Sequence, residues 1–150
     1  MSSVAEYIAD AVVTSLGNIT WSPAASGNFT IVKRKVPAET KDAELPLICV
    51  TQTTPEEYER AWAGKMFVKY PVDIILVTAG PQKLGDTDPI RSWRQQIIRN
   101  FDVNTLGNVS LTKVNDVKIY PGQPFDAGAL AGGHNWSVVR VTFETLEDRQ

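Results

Sequence analysis

One cysteine and one histidine are all that this 150-residue chain offers for nucleophilic or soft-metal chemistry. A disulfide needs two thiols and a Cys/His zinc site needs about four ligands, so neither can be assembled within one subunit. Cys49 and His134 could still form a nucleophile–base pair. The thiol, however, lies in the apolar run Leu47-Ile48-Cys49-Val50-Thr51 and reads as a small hydrophobe in a core. His134 follows Gly132-Gly133 and reads as a solvated loop residue. Two carboxylate pairs, Glu56-Glu57 and Asp86 with Asp88, could do acid–base work. Each also fits a helix start, the first as an acidic first turn and the second as a cap. The glycine-rich stretch 128–133 is followed by no Lys-Ser or Lys-Thr and precedes a strand, so no helix N-terminus points at an anion. The residue types thus predict no catalytic residue, no metal ligand and no cofactor site.

Basic and aromatic side chains carry more information. Lys33-Arg34-Lys35 puts three cations on consecutive strand positions, so Lys33 and Lys35 share one side and Arg34 takes the other. They form either a charged edge that blocks sheet-to-sheet aggregation or a contact for an acidic partner surface or passing DNA. The charged edge is the simpler reading. Arg91, Arg94 and Arg99 fall largely outside the apolar stripe of their helix and pose the same choice, with subunit contact as a further role because arginine is enriched at interfaces. A net charge of −2 supplies no bulk attraction for avid nonspecific binding to nucleic acid. Of four tryptophans, Trp93 and Trp136 fall on core or strand positions. Trp21 and Trp62 fall in the loop-like segments 18–28 and 53–64, where a large ring is exposed in a monomer and marks a contact surface.

These groups must be positioned by a chain long enough for one ordinary core, read as one domain over 1–150. No apolar run approaches the roughly 20 residues that span a bilayer, the opening residues do not form a secretory signal, and the Asn-X-Ser/Thr triplets read as coincidence. Ser3 and Glu6 make a capping pattern, Val4, Ile8, Ala11, Val12, Ser15 and Leu16 share a stripe, and Gly17 supplies a stop, which predicts a helix. Strands are predicted through 29–36 and 47–51, the second apolar on both faces and therefore central. Residues 53–64 fit either a short helix beginning at Thr54-Pro55 or an extended loop. In the long strand that follows, Met66, Val68, Tyr70, Val72, Ile74 and Leu76 face the core, and Pro71 marks either an edge of the sheet at that point or a bend at a bulge, of which the bend is expected. Asp88-Pro89 opens a second helix with Ile90, Trp93, Ile97 and Phe101 inward, and two strands, 117–120 and 136–144, close the chain. The fold class is α+β: a mainly antiparallel sheet with two helices packed against it, in the order α-β-β-β-α-β-β.

A helix over 4–16, a strand–connector–strand unit through Lys33-Arg34-Lys35-Val36-Pro37 and Leu47-Ile48-Cys49-Val50, a long strand ending Tyr70-Pro71-Val72-Asp73-Ile74-Ile75-Leu76-Val77, and a helix followed by a hairpin ending Val141-Thr142-Phe143-Glu144 run in that order. In this the chain resembles, over nearly its whole length, the tail terminator and neck proteins of long-tailed bacteriophages. The resemblance implies a virion structural protein without catalysis. Six copies would form a homohexameric ring that caps the head-proximal end of the viral tail tube, ends its polymerisation and serves in head–tail joining, with assembly in the host cytoplasm. Its partners would be further copies, the tail tube protein and the head–tail connector protein, with transient DNA passage through the lumen and no membrane. No chemical role is carried over to a residue. Connectors at 37–46, 53–65 and 121–135 are long enough to reach neighbouring rings. Other readings are a head–tail connector or tail completion protein of an adjacent neck ring, a small enzyme or ligand-binding domain using Cys49 and His134, and a nucleic-acid-binding module using the 33–35 triplet.

Overall fold

Ser3 opens helix α1 (Val4–Gly17) with a reciprocal capping box: its hydroxyl accepts from the Glu6 N–H at 3.2 Å, and its own N–H donates to the Glu6 carboxylate at 3.3 Å. Ile8, Val12 and Leu16, spaced by four, are completely buried beneath it. In this computed structural model, residues 3–21, 29–33, 47–52, 54–79, 88–102, 104–107, 114–121 and 134–148 are described. After α1 they form β1 (Thr30–Lys33), β2 (Leu47–Thr51), β3 (Glu57–Arg60), β4 (Lys65–Ala79), α2 (Asp88–Phe101), β5 (Val114–Pro121) and β6 (His134–Asp148). The strands make one sheet in the order β1-β2-β4-β6-β5, with β3 also paired to β4. Among the described strands, only β1 and β2 pair in parallel. The fold is α+β, as the periodicities predict, with one strand more.

That strand resolves the ambiguity at 53–64. Residues 57–60 form neither a helix nor a loop; they pair antiparallel with β4 from Glu57↔Lys69 to Arg60↔Met66. The turn at 62–65 is closed by the Lys65 N–H donating to the Trp62 carbonyl at 2.7 Å. Its central residues, Ala63 and Gly64, both have positive φ, 45° and 76°, as a type I′ hairpin turn requires. At Ala63 the left-handed conformation costs about 1–2 kcal/mol that a glycine would not incur. Glu57 is therefore a strand residue, not part of an acidic helical turn.

Alternation along β4 divides the molecule into two faces. Val68, Tyr70, Val72, Ile74 and Leu76 join Ile8, Val12, Leu16, Ile97 and Phe101 in the main core, so both described helices cover the same side of the sheet. On the other side Ile75 and Val77 cluster with Leu47 and Cys49, against which Val32, Trp136 and Val138 pack. All five residues of β2 are buried, as expected of a central strand apolar on both faces.

Pro71 marks a local edge of β4 and not the expected bulge. The β4–β6 ladder runs in register from Lys65↔Asp148 to Ala79↔His134 without a shift. Pro71 instead occupies the gap between the last β2 pair, Thr51↔Asp73, and the first β3 pair, Glu57↔Lys69. Neither β2 nor β3 asks it for a hydrogen bond, so proline is tolerated in a long strand. The register irregularity lies in β5, between Val114 and Asp116.

Candidate assembly surface

Cys49 is fully buried among aliphatic side chains. Among the described residues no three His, Cys, Asp or Glu side chains gather where they could hold a metal ion, and no helix is long and apolar enough to cross a membrane. Arg34, Lys35, the connector 37–46, the stretch 122–133, and the side chains of Asp88 and His134 lie outside the described residues.

The three arginines of α2 separate. Arg94 is 8% exposed, and its Nη1 donates to the Ser137 hydroxyl at 3.2 Å and to the Val138 carbonyl, tying α2 to β6. Burial pulls its pKa below the ordinary guanidinium value. Its expected place outside the apolar stripe is therefore wrong. Arg94, Ile97 and Phe101 follow the i, i+3, i+7 spacing of one helix face, and the sheet supplies acceptors where that face ends. Arg91 and Arg99 are exposed and, with exposed Gln95 between them at i+4, make a polar stripe on the side turned away from the sheet.

The two loop tryptophans also part company. Trp21 is half-buried, not exposed: its ring lies 4.8 Å from that of Phe29, which meets Trp93 edge-on at 5.0 Å. This chain of rings pins the segment after α1 to β1 and α2, so Trp21 is spent on the core. Trp62 is 61% exposed at the tip of the β3–β4 hairpin, held edge-on against Phe67 at 5.8 Å. Tyr58 on the same hairpin is 65% exposed. Directly opposed residues in an antiparallel pair share a face, so Glu57 and Glu59, opposite Lys69 and Phe67, lie on Trp62's side. Lys33 is half-exposed and ion-paired with Asp10 of α1, which raises its pKa above the ordinary lysine value. It joins β1 to α1 instead of standing as a bare cation.

A groove of about 320 Å3 opens on the face away from α1 and α2, lined by Thr54, Pro55, Lys69, Tyr120, Arg140 and Thr142 among others. At its floor Arg140 grips Asp73 through Nε at 2.8 Å and Nη2 at 3.3 Å. The carboxylate is 4% exposed, and its hydrogen bond raises the Arg140 pKa. This pair is absent from the residues picked out by motif. Its signal was Asp73 itself, the one carboxylate inside the apolar run of β4.

On the opposite face the Tyr70 hydroxyl donates to Glu147 at 2.7 Å. Burial first, and that hydrogen bond second, push its pKa well above the ordinary tyrosine value. The unfolded chain sheds this proton near pH 10 while the native state keeps it, so the contribution is intact below that pH and is lost as pH rises beyond it. Tyr70→Phe is expected to flatten the alkaline fall of stability by up to about 1.4 kcal/mol per pH unit. Urea denaturation at a series of pH values checks this, and an identical alkaline slope in both proteins refutes it.

No protein-family model matches the chain, and no curated protein matches it either.

Proposed function

We propose that this protein is a ring-forming structural subunit of a long-tailed phage, the tail terminator that caps the head-proximal end of the tail tube and joins it to the head connector. The observation that carries this reading is the β3–β4 hairpin, which holds Tyr58 and Trp62 in solvent on a sheet whose other large apolar side chains are mostly packed. Exposed aromatics on a rigid turn are what a subunit contact uses. The order of helices and strands agrees with the family resemblance, and a net charge of −2 suits a lumen through which DNA slides without being gripped. Lys33, already paired with Asp10, adds little grip.

Mixing the purified protein with growing tail tubes tests the proposal. Electron microscopy is expected to find a ring at one tube end, and tube lengthening is expected to stop. Monomer at high concentration, with no tube binding, would sink it. Attachment to the portal-side ring in place of the tube would reassign the protein to the neighbouring connector.

A further inference from the structure

The hairpin and the arginine stripe of α2 lie on opposite lateral sides of the sheet. β6 occupies one side of β4 along its whole length, so β3 must pair on the other. α2 packs over β6 and β5. The two surfaces also differ in charge. On the hairpin, Glu57 and Glu59 stand exposed on Trp62's face, Glu57 across from Lys69, while Lys65 is already ion-paired with Asp148 of β6. Along α2, Arg91 and Arg99 face outward on either side of Gln95. Two unlike, complementary patches on opposite flanks of one molecule produce a head-to-tail contact, which closes into a ring or runs on as a filament. A self-matching patch would instead stop at a dimer.

We infer that the β3–β4 hairpin tip of one copy, Trp62 flanked by Glu57 and Glu59, seats on the Arg91, Gln95 and Arg99 stripe of α2 in a second copy. Trp62 supplies a rigid apolar anchor with few rotamers to freeze, and its neighbour's guanidinium groups stack on its ring and pair with the flanking carboxylates. The charges set register and exclude the reverse docking. This inference rests on the proposed ring and specifies its subunit contact.

A charge swap tests it. One variant carries Glu57→Lys and Glu59→Lys, the other Arg91→Glu and Arg99→Glu; all four positions are exposed, and circular dichroism verifies that each variant folds. Mass photometry and sedimentation are expected to show self-association of the unaltered protein, weakened at least tenfold in each variant alone. Mixing the two variants is expected to restore assemblies larger than a dimer, because each hairpin then meets an opposite stripe. Trp62→Ala is expected to weaken association without altering the charges. Unaltered assembly in every variant overturns the hairpin–helix contact and leaves the ring reading standing. Recovery that stops at a dimer overturns the head-to-tail arrangement. Loss of tube binding with self-association intact overturns the inference as well and assigns the hairpin to the tube protein. A chain that stays monomeric, alone and with tubes, removes both readings.

Discussion

Phe143→Ala is expected to cost about 3–5 kcal/mol. Phe143 has no solvent exposure, lies opposite Tyr70 in the central β4–β6 ladder, and meets Phe101 edge-on at 6.3 Å. It joins the last turn of α2 to the middle of the sheet, so shortening it leaves a void bounded by a helix and two strands that cannot collapse without losing register. Against a typical total of about 5–15 kcal/mol, that loss removes about a fifth of the stability or more. Urea unfolding with an unchanged m-value measures it, and Phe143→Leu, which fills much of the space, is expected to cost far less. A loss under about 1 kcal/mol for the alanine variant would mean that the two layers do not meet there.

Arg140→Leu is the second large effect, and its origin is electrostatic. The substitution removes the two-point grip on Asp73 and leaves a carboxylate 4% exposed without its cation. Stranding one member of a buried pair costs about 3–5 kcal/mol, and the partial exposure of Arg140 lowers the expectation to about 2–4 kcal/mol. Adding Asp73→Leu to the same chain is expected to recover much of that loss, because the damage lies in the isolated charge more than in the missing attraction. If the double variant is less stable than Arg140→Leu alone, the pair is not acting in this way.

Local signals carried most of the architecture. The Ser3–Glu6 spacing announces α1, and both halves of its capping box form. The strict alternation from Met66 to Val77 assigns the two faces of β4 correctly, because a strand has only two sides to choose from. What could not be read depends on partners distant in sequence. Pro71 signals a bend only if a neighbour needs its N–H, and the gap between β2 and β3 decides that. Trp21 reads as exposed until Phe29 and Trp93 are brought to it. Arg94 reads as solvated because charge outweighed its i, i+3, i+7 spacing with Ile97 and Phe101, and only the arrival of Ser137 and Val138 makes its burial tolerable. Trp62 kept its predicted exposure because it sits at the tip of the hairpin turn, where its ring meets Phe67 edge-on and stays 61% exposed.

The uninterrupted β4–β6 ladder also has a consequence in time. Its pairs join residues 55 to 83 positions apart, from Ala79↔His134 to Lys65↔Asp148, with all of α2 and β5 in between. Loops of that length must close before the central pairing rewards them, which places folding in the slow, milliseconds-to-seconds range typical of non-local sheets. Until β6 has been synthesised and reaches it, β4 presents Ile74-Ile75-Leu76-Val77, apolar on both faces, with one long edge unpaired. Such a segment pairs readily with copies of itself. Yield should therefore depend on how quickly the last fifteen strand residues arrive. Cooler, slower and more dilute expression, which gives each chain time to close its own ladder before it meets another, should raise the soluble fraction.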